Sequence, residues 1–362
     1  MHIVQLPKFF FWALLVVLVG CGAPDAPPVA PSAETPEAAD KIFMNGKIIT
    51  VDDNNPRASA VATRDGKIVY VGDLRGAKPL VGDATEQVDL AGKTLVPGFV
   101  DAHGHVVTAG LQAASANLLP APDGPVNSFD DLVATLQQWR DSSKGQTFIS
   151  RPGGLLGVGC DDSQLPEGIF PTAEVLGEVT EEQPLMVIHQ SGHFAVMNRA
   201  ALALAGIDDC TKEVPGGLIR CEADGKTPNG VLEENAFFVS LGVFQDRIDA
   251  DFAQDLFEQG MAMFASFGYT TAQEGRAFAS AVLTAQAKAD ADALPIDVAL
   301  YVDYGFKDLI AAPYYSGSGY EGIAYNNGLR IAGMKMTLDG SPQGKTAWLS
   351  HPYFVAPQGQ GP

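Results

Sequence analysis

The segment Pro97-Gly98-Phe99-Val100-Asp101-Ala102-His103-Gly104-His105 carries the most chemically loaded spacing in the chain. On an extended strand, residues two apart project to one face, so both imidazoles point the same way from the end of an apolar run. Two neutral imidazoles so placed are a ready pair of ligands for a divalent metal. Gly104 lets the backbone approach an ion closely, and Asp101 is placed to accept a ring N–H and orient one imidazole. The bland reading of a bare His-X-His is two exposed loop histidines.

Other residue types invite the same question. Lys335 sits in Met334-Lys335-Met336, where a lysine is costly to bury without a carboxylate partner or a chemical role. Glu274 ends the strand-like segment Tyr269-Thr270-Thr271-Ala272-Gln273, either touching a site or standing as a solvated strand-end carboxylate. His189 reads as structural and His351 as a surface residue, and Asp339-Gly340 read as a turn.

The elements that must position these groups follow from patterning. Residues 41 to 96 alternate in short strands punctuated by Asn-Gly, Asp-Gly and Ala-Gly, a hairpin signature. Ser128 caps a helix whose apolar residues Phe129, Leu132, Val133, Leu136 and Trp139 fall at helical spacing, with Asp131 at the capping-box position. Strands are expected at 155 to 161, 184 to 193, 269 to 275, 296 to 303 and 329 to 340, and helices at 252 to 267 and 277 to 291. Such alternation implies parallel βαβ units in an α/β fold.

Composition narrows the function classes. The 362 residues are 46% hydrophobic and carry a formal charge of −20, with 23 Lys+Arg against 43 Asp+Glu. No broad basic surface exists for a phosphate backbone, which argues against nucleic acid as a partner. Four cysteines and six histidines exclude a Cys-rich zinc framework.

The β-layer followed by LVPGFVDAHGH resembles the start of the amidohydrolase superfamily. PLMVIHQSGHFAVMNRAALALAGI, PGGLIRCEADGKTPNGVLEENA, GYTTAQEG and GMKMTLDGSPQGKTAWLSHPY then resemble, in order, its amidohydrolase family 3, the YtcJ-like branch. The resemblance runs over residues 41 to 362. It implies a metal-dependent hydrolase built on a (β/α)8 TIM-type barrel, with one or two divalent ions, commonly zinc, at the C-terminal mouth. Residues 41–96 become part of a composite β-sandwich, and 97–362 an incomplete barrel with an α+β insertion at about 110–260. His103 and His105 would leave the first barrel strand and Lys335 would lie on the fourth, where superfamily members often carry a carboxylated lysine bridging two metals. A structural ion pair and an outward, solvated side chain are the other readings of Lys335. His193 matches a family position, as a substrate-pocket residue or a hydrogen-bonded core histidine.

The chemistry so implied is hydrolysis of a non-peptide C–N bond in a small amide-type substrate by metal-activated water, with a carboxylate passing the proton to the leaving nitrogen. The family's later ligands, His on the fifth and sixth strands and Asp on the eighth, have no counterpart here, because the only histidine after position 193 is His351. About 250 residues make such a barrel, and fewer than half are present. The expectation is an N-terminal portion of a longer enzyme, inactive alone, with its proton-shuttle Asp beyond Pro362. The alternative is a degenerate, non-catalytic envelope protein that keeps at most a ligand-binding role.

Phe9 to Val19 is an apolar run of eleven residues, too short for a bilayer core of about 30 Å and suited to a signal peptide. Leu18-Val19-Gly20-Cys21 resembles the lipobox of bacterial lipoproteins. It implies a leader over 1–21, lipidation of Cys21, and export to the cell envelope, with Gly22 favouring the outer membrane and the bilayer as a partner. Residues 22–40 read as a Pro/Ala-rich tether. In an oxidising compartment Cys210 and Cys221, which flank a Pro-Gly-Gly turn, can pair; two buried thiols are the other reading.

Overall fold

The computed structural model describes residues 36–245, 249–310, 325–340, 342, 345 and 347–354. Cys21, the leader and most of the tether lie outside the described residues. No helix among the described residues is long and apolar enough to cross a membrane. The chain divides into two compact units, Met1–Pro97 and Gly98–Pro362.

The first unit holds β1 (Lys41–Ile49), β2 (Arg57–Arg64), β3 (Lys67–Gly72), α1 (Leu74–Ala77), β4 (Glu86–Asp89) and β5 (Thr94–Leu95). They form one five-stranded sheet of order β3-β2-β1-β4, with β5 also pairing β1. Ile42, Ala60, Ala62 and Ala77 make its core. Asp65 and Gly66, both at positive φ, turn β2 into β3 as the Asp-Gly signal predicts. Asn45-Gly46 does otherwise. Asn45 takes φ 59° inside β1, where the register shifts between Met44 and Ile48. The same left-handed conformation that makes a hairpin turn here makes a bulge, because β1 passes from pairing with β4 to pairing with β5.

The second unit opens with β6 (Phe99–Val100), α2 (Val106–Ala114) and β7 (Ala116–Asn117), then α3 (Phe129–Asp141), α4 (Ser143–Ile149) and β8 (Leu155–Cys160). There follow α5 (Ala173–Gly177), β9 (Leu185–His189), β10 (Phe194–Met197), α6 (Arg199–Leu204), β11 (Gly217–Cys221), β12 (Pro228–Glu234) and α7 (Asn235–Gln245). The last elements are α8 (Ala250–Ser266), β13 (Tyr269–Ala277), α9 (Ala279–Asp290), β14 (Asp297–Asp303) and β15 (Leu329–Lys335).

Two sheets result. One is entirely parallel, of order β15-β14-β13-β6, the succession expected of the first four strands of a TIM-type barrel. Val298, Leu300, Val302, Leu329 and Ile331 pack with Phe257, Val282 and Val106 of the flanking helices. The other sheet lies between β6 and β13 in sequence and has order β11-β12-β10-β9-β8-β7. Every residue of β8 and β9 is buried, because helices cover both faces of these parallel strands. The strand expected at 184 to 193 is broken after His189, where Gly192 turns at φ 69° and β10 returns antiparallel. His193 therefore stands just before a second strand, β10. Ser128 Oγ caps α3 at the Asp131 N–H, and a disulfide joins Cys210 to Cys221.

The helix that follows the two histidines is fixed by a reciprocal glycine contact with α8. A Cβ on Gly110 would stand 1.7 Å from Leu256 O, and one on Gly260 would stand 1.9 Å from Val106 O. Only glycine at both positions lets the two helices approach this closely.

Candidate active site

The parallel sheet ends in polar residues on one side. β6 stops at Val100, and Asp101 to His105 carry the chain into α2, with His105 as its N-cap residue. The histidines therefore do not alternate along a strand, since the helix begins directly after them. Their rings meet edge to face with centroids 5.6 Å apart.

His105 is held from the neighbouring strand. It bridges to Glu274 on β13, and its Nδ1 lies 3.5 Å from Glu274 Oε1. Glu274 is only 2% exposed, not a solvated strand-end group. Its Oε2 accepts the Val107 N–H at 2.9 Å and its Oε1 the Arg276 N–H at 3.0 Å. A carboxylate at Val107 sits on the positive end of α2, where His105 itself supplies no side-chain cap. The absence of a side chain on Gly275 makes room for the imidazole, because a Cβ there would lie 3.1 Å from His105 Cε1 and 2.8 Å from Gly104 O.

Asp101, expected to orient an imidazole through a ring N–H, spends its hydrogen bonds on backbone. Oδ1 takes the His103 N–H at 3.3 Å, and Oδ2 takes the Gln273 N–H at 3.0 Å. It ties the His-X-His segment to β13, and Glu274 is the carboxylate beside a ring.

Lys335 is the last residue of β15, in register with Asp303. A cleft of about 470 Å³ is lined by His103, Gln273, Tyr301, Met334, Lys335 and Met336, among others. The half-barrel thus brings His103 and Lys335, 232 positions apart in sequence, to one opening at the strand C-termini. Among the described residues no carboxylate pairs with Lys335.

A second cleft of about 360 Å³ shares Lys335, Met336 and Leu338 with the first and adds Arg276, Asp303 and Tyr304. Arg276 Nε donates to Asp303 Oδ2 at 2.9 Å, while Asp303 Oδ1 accepts the Gly305 N–H at 2.9 Å. The guanidinium lies 5.1 Å from the Phe238 ring and 5.3 Å from that of Phe278. Arg276 and Asp303 carry no motif that marks them in the sequence. The available signal was their place as the last polar groups of two strands whose ends face the same way.

His193 lies in the inserted sheet. Its Nδ1 meets Glu234 Oε2 at 2.9 Å and Oε1 at 3.1 Å, and its ring meets Phe238 edge-on at 6.3 Å. Phe238 is the ring under Arg276, so His193 neighbours the second cleft through one side chain. Glu234, a non-glycine residue at φ 48°, holds it there.

A separate group, Asp161, Asp162 and His189, places one ligand-capable atom from each within 4.8 Å of the others. His189 is buried, stacked on Phe194 at 3.9 Å, with Nε2 3.3 Å from Asp162 Oδ1 and 3.6 Å from Asp161 Oδ1. Its Nδ1 accepts the Ser191 N–H at 3.0 Å, which puts the ring proton on Nε2, facing the carboxylates. Holding a cation requires the other tautomer, with Nδ1–H on Ser191 Oγ at 2.8 Å. Burial works to raise the Asp161 pKa, but hydrogen bonds from Ser163 and Gln164, with His189 nearby, hold it below the usual carboxylate value. Burial, reinforced by Asp162, Asp161 and Glu167, pushes the neighbouring Cys160 thiol far up, so it is an inert thiol. His351 is exposed.

Comparison with known proteins agrees with this architecture. The profile of the amidohydrolase family, Amidohydro_3, matches residues 86–362. The chain belongs to the amidohydrolase family. It is 36% identical over 203 residues to the exoenzymes regulatory protein AepA of Pectobacterium carotovorum subsp. carotovorum, covering 55% of this chain and 41% of that protein. It is 30% identical over 234 residues to the N-substituted formamide deformylase of Arthrobacter pascens, covering 64% and 41%. Among solved structures, an uncharacterized metal-dependent hydrolase from Pyrococcus horikoshii OT3 superposes with a TM-score of 0.59 at 24% identity, covering 86% of this chain and 57% of that one. The chain thus spans about half the length of the relatives it matches.

Proposed function

We propose that this chain carries the first half of the active site of a metal-dependent hydrolase acting on an amide-type C–N bond. One observation carries the reading: His103 and Lys335 line one cleft at the C-terminal edge of four parallel strands, where TIM-type enzymes place their chemistry, and His105 stands two residues beyond His103. The donor set fits a divalent cation. Two imidazoles are present, Glu274 lies beside one of them, Gly275 leaves the ring its space, and among the described residues no ion pair competes for Lys335.

His103, His105 and a carboxylated Lys335 would hold the ion or ions, with zinc the reading that suits nitrogen and oxygen donors. A bound ion supplies Lewis acidity to the scissile carbonyl and to the attacking water. Glu274 fixes the orientation of His105 and anchors it to α2, while Asp101 keeps the His103 backbone joined to β13. Met334, Met336 and Leu338 give the cleft an apolar wall that limits water around the reacting carbonyl. His193, oriented by Glu234, serves as a substrate-facing residue at the rim.

The name of the Arthrobacter relative, a deformylase of N-substituted formamides, supports a small amide as substrate. Export with a lipid on Cys21 completes the proposal. The Cys210–Cys221 bond suits an oxidising compartment, and the apolar run before Cys21 suits a leader.

Metal analysis of the purified chain tests the site. About one or two divalent ions per chain are expected, falling sharply in both His103→Ala and His105→Ala. A metal content unchanged by either substitution overturns the assignment.

A further inference from the structure

We infer that the substrate carries a carboxylate, and that Arg276 reads it in the second cleft; this rests on the amide-hydrolase reading above and names a feature of its substrate. The side chain is built as a fixed anion fork. Its Nε edge is taken by Asp303 Oδ2, and Asp303 is itself held by the Gly305 N–H through its other oxygen, so it clamps one edge without chelating the group. Phe238 and Phe278 lie within cation–π range of the guanidinium. These contacts fix the plane of the group and remove the rotamer freedom that binding would otherwise have to freeze.

The two terminal nitrogens are left over. Among the described residues Arg276 makes no hydrogen bond through them, and Asp303 is its ion-pair partner. The residue lines the second cleft, so a planar pair of N–H groups serves that opening.

The chemistry selects the ligand. A guanidinium edge with parallel N–H groups matches a carboxylate in bidentate geometry. Asp303 already balances part of the charge, which suits a monoanion better than a phosphate dianion. The two clefts share Lys335, Met336 and Leu338. One small molecule can therefore lay its scissile amide toward His103 and Lys335 and its carboxylate toward Arg276. The shared apolar wall covers the part between. Phe238 also touches His193, so the inserted sheet helps set the position of the fork.

Calorimetric binding of matched probes tests this without relying on turnover. N-Acetylglycine and its neutral counterpart N-acetylglycinamide differ only at the anionic end. The purified chain is expected to bind the acid about 10-fold to 100-fold more tightly, the range of a charge-assisted pair. Arg276→Gln should bring the two probes to near equality. Arg276→Lys, which keeps the charge but not the fork, should retain only part of the preference. Equal binding of both probes by the unaltered protein, no measurable binding of the acid, or an unchanged preference in Arg276→Gln overturns the inference. Metal content, measured on the same samples, reports separately on the hydrolase reading: a chain that prefers the acid but holds no metal would sink that reading alone.

Discussion

Glu274 Oε1 lies 3.5 Å from His105 Nδ1 while its Oε2 receives the Val107 N–H that opens α2. One buried carboxylate thus closes a helix and faces a candidate ligand, joining the stability of the fold to the geometry of the site. Glu274→Ala strands the Val107 and Arg276 N–H groups. At about 1–3 kcal/mol for each unsatisfied group, at the lower end because both are only part-buried, it should lower the unfolding free energy by about 2 kcal/mol or more in a urea titration. Glu274→Gln keeps an acceptor oxygen and should lose less. It should nevertheless weaken metal affinity about 10-fold to 100-fold, because the neutral amide orients His105 less strongly. Wild-type metal affinity in the Gln variant would leave Glu274 with a structural role alone.

The position of His105 also depends on how closely α2 lies against α8. With Leu256 O only 1.7 Å from where a Cβ on Gly110 would stand, the backbone rather than a side chain must yield. Gly110→Ala should destabilise the protein by about 1–3 kcal/mol, the range for overpacking a tight core, and shift the start of α2. Half-buried Gly177, whose Cβ would meet nothing within 4 Å, is the control, and Gly177→Ala should leave both stability and metal content near wild type. Thermal unfolding of the two variants decides it; equal midpoints would dismiss the glycine contact as a constraint.

Much of this arrangement was readable from local pattern. The apolar runs of β14 and β15, the Thr-rich segment of β13 and the His-X-His after β6 identified the parallel strands and their polar ends, because strand propensity and strand termini are written in neighbouring residues. Asn45-Gly46 misled because a left-handed pair serves a bulge as well as a turn, and only the partner of β1 decides which. Glu274 was open to either reading, and Arg276 and Asp303 were not recognised. Their meaning lies in contacts such as Val107 with Glu274, 167 positions apart, which no local signal carries. Asp101 was placed in the right neighbourhood, but its partners proved to be backbone amides.

Asp297, the first residue of β14, offers a test of the half-barrel by pH. Burial raises its pKa above the ordinary carboxylate value of 3.8. The native state therefore binds this proton more tightly than the unfolded chain. The contribution to stability is unfavourable at neutral pH, is relieved as pH falls through the raised native value, and levels off below about 3.8. Asp297→Asn removes the charge. It should be more stable than the parent at pH 7, with the difference shrinking as pH is lowered toward 4. Chemical denaturation at a series of pH values measures this, and a constant difference across the series would contradict it.

Lys335 ends β15 at a cleft it shares with His103, with no carboxylate to pair with among the described residues. Carbon dioxide adds to a neutral lysine amine to give a carbamate, which turns a cation into an anionic oxygen ligand, and a nearby divalent ion would hold that form. The protein equilibrated with 13C-labelled bicarbonate and zinc should show a carbamate carbon resonance that is absent from Lys335→Ala. His103→Ala should weaken the same signal, because the ion that stabilises the carbamate is lost. Lys335→Ala should also lower metal content, with added short-chain carboxylic acids restoring part of it by filling the vacated space. If Lys335→Ala and the parent give identical spectra and identical metal content, the lysine is a solvated side chain, and the metal reading would rest on the two histidines alone.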